Sequence, residues 1–227
     1  MPKKAGIVCV ILGAVLIGSA LLLFARNRME DQKAGQEAEK LLAEIETVIA
    51  ERTAADAAQS PSRRLEVDTA DEPAVREEAP QESAENAERA PETGGGDDTV
   101  MLSGYDFIGY LELPTLGLRL PVMSSWDYDR LKISPCRQFG AVETDDLVIA
   151  AHNYRTHFAR LGEMKAGDSV RFTELDGTVN QYTVSAVGTV LPEDVEAVQN
   201  SGYALVLYTC TKGKEARVTV YCSRADG

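Results

Sequence analysis

Histidine is scarce in this chain of 227 residues: there are two, His152 and His157. Five residues apart, they do not share a helical face, so zinc is not expected on the pair. Basic residues are also few, 23 against 36 acids, and no basic patch interleaved with aromatics occurs, which argues against a nucleic-acid partner. No internal repeat is evident. The charge is unevenly spread. Residues 1–28 hold four bases and no acid, residues 29–100 hold 20 acids against 7 bases, and the remainder 16 acids against 12 bases. The acidity therefore belongs to the middle of the chain and says little about its folded part.

Ala5 to Phe24 is a run of twenty uncharged, mostly apolar residues. About twenty such residues span a bilayer core as a helix. The run is longer than a signal peptide's apolar region and ends in LLLFARNR without a small-residue cleavage pattern, so residues 1–28 read as an uncleaved transmembrane anchor. Two basic residues flank each end, and charge alone leaves the orientation open. Residues 29–58 are rich in helix formers, with Ala34, Ala38, Leu41, Leu42, Ile45, Val48 and Ile49 in one narrow apolar stripe, predicting a helical stalk that self-associates weakly. Residues 59–100 carry many acids, Pro73, Pro80, Pro91 and a closing Gly-Gly-Gly, the composition of a disordered, extended linker.

From residue 101 to 227 the pattern becomes β. FIGYLELP and LRLPVMS are joined at Thr115–Gly117, and DDLVIAAH is a buried strand. SVRFTEL and NQYTVSAVGTVLP flank an Asp176-Gly177 turn, and YALVLYTC with EARVTVYC forms a last hairpin. SSWDYDRLK reads as a short helix capped by Ser124 or Ser125, HFARLGEMKAGD as another ending near Gly167, and PEDVEAVQNSG as a third. Seven or eight short strands predict an antiparallel sandwich or a small closed barrel.

The last hairpin carries two of the four cysteines. Gly213-Lys214 fits a two-residue turn, and that register pairs Thr211 with Ala216 and Cys210 with Arg217. Directly opposed residues have Cβ atoms about 4.5–5.5 Å apart, so a guanidinium stands beside the first cysteine. A cation there favours the nucleophilic thiolate or steadies an oxyanion. Cys222 shares strand parity with Val218 and Val220 and reads as a core residue. Cys136 falls in the SPCRQFG loop without an acid–base partner, and a Cys136–Cys222 disulfide stays open. Of the two histidines, His152 ends the buried strand, where its ring can enter a cleft. His157 is expected in the first turn of a helix.

LVIAAHNY, HFARL, GDSVRF and then LVLYTCTKGKEARVTV resemble the sortases, surface cysteine transpeptidases of Gram-positive bacteria. The resemblance covers roughly residues 105–224 and implies a closed sortase-type β-barrel of seven to eight strands with short helices. It implies Cys210 as nucleophile, His152 as general acid and base, and Arg217, with backbone near Thr209, as substrate and oxyanion support. The implied partners are proteins bearing an LPxTG-like sorting signal and an amine from a cell-wall precursor or a pilin, with the domain outside the cell and no electron- or group-carrying cofactor. Acids at Glu143, Asp145, Asp146, Glu193, Asp194 and Glu196 match loops where some members bind calcium, although loop acids are usually just solvated. Tyr208 and Ala151 depart from the family's usual residues. The short Val190–Tyr203 connection is unlike class B, and the lack of a second apolar run after SRADG is unlike class C. A cell-wall cysteine peptidase and a non-catalytic surface β-domain are the rival readings.

Overall fold

The computed structural model describes residues 2–59, 98–211, 213 and 215–225. It opens with one helix, α1 (Pro2–Gln59), unbroken at the expected junction of anchor and stalk. Between Ile11 and Phe24 its large apolar side chains are all exposed, each by 59% or more, and α1 is long and apolar enough to cross a membrane. The expected linker, apart from its ends, lies outside the described residues.

Among the described residues nine strands follow: β1 (Val100–Leu102), β2 (Tyr105–Leu113), β3 (Leu118–Met123), β4 (Cys136–Phe139), β5 (Leu147–Ala150), β6 (Ser169–Glu174), β7 (Val179–Val190), β8 (Leu205–Cys210) and β9 (Arg217–Arg224). Their order is β1-β2-β3-β4-β5-β8-β9-β7-β6, and β6 pairs back onto β2. Eight strands thus close a barrel, and β1 is a short addition to the first half of β2. Closure depends on Gly109, at a bulge in β2 with φ 144°, where a Cβ would sit 2.1 Å from the Thr173 carbonyl oxygen. The Thr115–Gly117 connection is a 3-10 turn (Pro114–Leu116), with Gly117 donating its N–H to the Pro114 oxygen at 3.0 Å.

The sheet is mixed, which corrects the antiparallel expectation: β3 pairs β4 and β5 pairs β8 in parallel. The reason lies in the strands themselves. LVIA and LVLY are apolar at every position because both of their faces are covered, the usual signature of parallel strands. Leu147, Ile149, Leu205 and Leu207 join one buried cluster with Leu111, Phe172, Val220 and Cys222. The alternating Val148, Ala150, Val206 and Tyr208 join a second with Phe107, Met123 and Cys136.

That second cluster also takes Leu41 and Ile45 of α1. Ala34, Ala38, Leu41, Leu42 and Ile45 are 8% exposed or less, and α1 lies chiefly against β3, so the barrel covers the stripe foreseen on the stalk. Arg119 of β3 bonds Glu46, and Arg52 bonds Asp98.

The short helices are mostly single 3-10 turns. Arg130–Lys132 follows a cap made by Asp127, whose Oδ1 accepts the Asp129 and Arg130 N–H groups at 2.8 Å, rather than by Ser124 or Ser125. Leu161–Glu163 is another, and the third expected helix is α2 (Glu196–Gln199), one turn long.

Because Ile45 is fully buried between helix and barrel, Ile45→Ala is expected to cost about 2–4 kcal/mol. Trp126 is the chain's one tryptophan, so urea unfolding followed by its fluorescence measures the loss directly. A loss under half a kcal/mol would mean that α1 does not rest on the barrel.

Candidate active site

The site forms where β5 and β8 end together. Their parallel register pairs Leu147 with Leu205 and Ala150 with Tyr208, so two residues further on His152 stands level with Cys210. Three hydrogen bonds carry the pairing past the ends of the strands. The Ala151 N–H donates to the Tyr208 oxygen at 3.2 Å, and Thr209 Oγ1 donates to the Ala151 oxygen at 2.8 Å. Asn153 Nδ2 donates to the Cys210 oxygen at 2.7 Å. His152 is therefore held between two residues that are each bonded to the end of β8.

The β8–β9 hairpin supplies the third group. Its register pairs Cys210 with Arg217, as expected, and the Thr211 N–H donates to the Ala216 oxygen at 2.8 Å. The turn residues Lys212 and Lys214 lie outside the described residues. Tyr208 shares the face of Arg217, whose guanidinium carbon sits 5.1 Å from the centre of the Tyr208 ring. Such cation–π contact is worth roughly 0.5–2 kcal/mol. Tyr208 is buried, and its hydroxyl donates to Gln138 Oε1 on β4. The tyrosine that departs from the family's usual residue thus makes a platform for the arginine. Thr209 turns its side chain inward, 2% exposed, leaving its backbone at the strand end.

The cysteines separate sharply. Cys136 opens β4 and was expected in a loop; it and Cys222 are fully buried in different clusters and unpaired. Burial pushes both thiols up to about 12, which keeps them protonated and inert at neutral pH. Cys210 is exposed.

The histidines separate too. His152 stacks on Tyr154, ring centres 4.1 Å apart and planes at 19°, and Tyr154 meets His157 at 5.5 Å. His157 lies in a turn rather than a helix, is fully buried, and neither of its ring nitrogens has a hydrogen-bond partner among the described residues. Burial first, and then the neighbouring His152, push it down to about 4.

The six candidate calcium acids do not converge. Asp145 pairs with Arg224, Asp146 accepts the Ala141 N–H, Asp194 accepts the Ala197 N–H and Glu196 takes the Asn200 amide. Among the described residues no group of three or more His, Cys, Asp or Glu side chains is placed to hold a metal, so this donor set does not fit the ion. Asn153 and Tyr154 were missed by sequence reasoning. Their one signal was adjacency to His152 at the end of a buried strand.

A closed mixed barrel with an exposed cysteine opposite an arginine, and a histidine level with it, defines a candidate thiol active site. The Sortase domain family matches residues 111–225, and the chain belongs to that family, making it a sortase-type cysteine transpeptidase. Similar solved structures include sortase C from Clostridium perfringens SM101, at 22% identity and TM-score 0.45, covering 54% of this chain and 71% of that one. Sortase A from Corynebacterium diphtheriae is 24% identical with TM-score 0.47, covering 54% of this chain and 62% of its own. Streptococcus pneumoniae sortase C is 27% identical with TM-score 0.46, covering 53% and 70%. No match is found among curated proteins.

Two expectations follow. His157 prefers its neutral form when folded, so its contribution to stability is present above about pH 6.5 and is lost as pH falls toward about 4. Urea titrations across that range should show wild type losing up to about 3 kcal/mol more than His157→Phe, at ~1.4 kcal/mol per unit of displacement. Parallel pH dependence of the two proteins would contradict it. Second, Tyr208→Leu removes the platform under Arg217 whereas Tyr208→Phe retains it. Turnover of a sorting peptide should fall about 5- to 20-fold in the first and less than threefold in the second. Equal losses would refute the platform.

Proposed function

We propose that Cys210, His152 and Arg217 carry a transpeptidation at the end of the barrel, with the chain anchored in the membrane by α1. The observation that carries the reading is their convergence. Cys210 pairs with Arg217 in one hairpin, and His152, two residues past the end of the adjoining parallel strand, is level with Cys210.

Cys210, its thiol proton passed to His152, attacks as the thiolate the carbonyl carbon between threonine and glycine of an LPxTG-like sorting signal. The carbonyl electrons move to oxygen, and Arg217, beside the thiol, stabilises the oxyanion with backbone groups near Thr209. As the tetrahedral intermediate collapses, His152 gives a proton to the departing glycine amine, leaving a thioester on Cys210. An amine from a cell-wall precursor or a pilin then attacks the thioester, His152 takes its proton, and collapse expels the Cys210 thiolate. Buried Cys136 and Cys222 take no part.

The apolar, unburied stretch of α1 supports an anchor, and membership of a family of surface enzymes supports a barrel outside the cell. The domain division is residues 1–28 as anchor and 101–227 as catalytic domain, with 29–58 docked on the latter.

A peptide-library screen in the presence of an added amine tests this reading. Wild type should form a thioester trapped on Cys210 and an amide product. Cys210→Ala should form neither, and His152→Ala and Arg217→Ala should lose at least about 100-fold in turnover. Cleavage by water that ignores the amine would favour a cell-wall peptidase. Alkylation of Cys210 no faster than that of Cys222, with no product from any peptide, would favour a non-catalytic surface domain.

A further inference from the structure

The loop that presents His152 is held at its far end by α1. After β5 the chain turns tightly: the His152 oxygen accepts from the Tyr154 N–H at 2.8 Å and the Phe158 N–H at 3.4 Å. The Tyr154 oxygen accepts from His157 at 3.0 Å and Ala159 at 2.9 Å. These bonds close the loop upon itself, and Phe158 at its end is buried in the inner cluster of the barrel. Two hydrogen-bonded contacts hold the residues between His152 and Phe158 to other elements. At the near end Asn153 bonds the Cys210 oxygen. At the far end Thr156 reaches α1, where Asp31 Oδ1 accepts the Thr156 N–H at 3.1 Å and its hydroxyl at 2.7 Å, with the Asp31 backbone oxygen also 3.0 Å from that hydroxyl.

One turn along α1, Gly35 has no side chain where Thr156 sits. A Cβ there would lie 2.6 Å from the Thr156 methyl carbon. Asp31 is also where the helix first meets the barrel, because residues 14–30 are exposed throughout. The apolar docking of α1 begins beyond it, at Ala34, and centres on Leu41 and Ile45. The Asp31–Thr156 contact therefore adds little to holding the helix down. What it does hold is the loop on which the His152, Tyr154 and His157 rings lie against one another.

We infer that Asp31 is a positioning residue for His152, with Gly35 making room for the contact. Through Thr156 the anchor helix sets the tilt of the imidazole loop against Cys210. The inference rests on the proposed role of His152 as acid and base, and Asp31 itself touches no reacting atom. A charged acceptor taking two donors from one residue is a strong and directional restraint. Small displacements of a catalytic group are felt mainly in the chemical step.

The test uses the full chain in detergent, an internally quenched LPETG peptide and triglycine as the amine. Asp31→Ala and Thr156→Val should each lower kcat per reactive Cys210 thiol about tenfold, with KM within twofold of wild type. Asp31→Asn, which keeps an acceptor, and Thr156→Ser, which keeps both donors, should restore most of it. Ile45→Val, a packing loss elsewhere on α1, should lower the melting temperature and leave kcat unchanged. With only two histidines, their Cε1–H resonances are readily told apart by substitution, and that of His152 should move in Asp31→Ala but not in Ile45→Val. Wild-type kcat in both Asp31→Ala and Thr156→Val, with an unmoved His152 resonance, would overturn the inference. If wild type transfers nothing to triglycine, the functional reading fails there. The His152 resonance then decides the positioning question without substrate, and an unmoved signal overturns it. Should Asp31→Ala fail to fold, the Thr156→Val and Thr156→Ser pair puts the same question.

Discussion

Leu147 to Ala150 lie in parallel register with Leu205 to Tyr208, and both strands stop at the same edge of the barrel. Parallel strands are not joined by a tight turn; some fifty residues separate these two, including the whole β6–β7 hairpin. The register is set by burial on both faces, because a one-residue slip would exchange the side chains of the two apolar clusters. Once it is set, His152 falls level with Cys210, and the antiparallel β8–β9 hairpin pairs Arg217 with that cysteine. The bonds of Asn153 and Thr209 extend this one pairing beyond the strand ends.

The outer face of the same strands explains why α1 belongs to the folded unit. Val148, Ala150, Val206 and Tyr208 need cover, and Leu41 and Ile45 form part of it. A helix whose first half is apolar all round and whose second half is apolar along one stripe leaves the first half exposed and buries the stripe on the barrel. On the proposed anchoring by α1, the continuous helix sets the distance from membrane to domain by helical rise rather than by a flexible chain.

Much of this could be read from the residues in order. The Cys210–Arg217 opposition follows from a glycine turn and the two-residue period of a strand, both local properties. Cys222 as a core residue follows from the same parity, and the Asp176-Gly177 hairpin from its turn chemistry. The parallel pairings were not anticipated, although LVIA is apolar at every position. Such a run signals burial on both faces without naming the partner strand. The stripe on residues 29–58 was visible, but hydrophobic periodicity says that a face must be covered and is silent on what covers it. Ser124 and Ser125 were the nearest caps by residue type, yet Asp127 lies at the right offset from Arg130.

The sequence by itself determined that an N-terminal apolar helix precedes a small β-domain, and that one cysteine stands opposite an arginine at a strand end. These are consequences of period, turn type and segment length, which act within a few residues. Only the tertiary structure decided that His152 lies level with Cys210, that Tyr208 supports the arginine and that Asp31 bonds the histidine loop. Contacts between residues 58 and 125 positions apart exist only when the barrel has closed and the helix has docked, because apolar burial across the whole domain selects them.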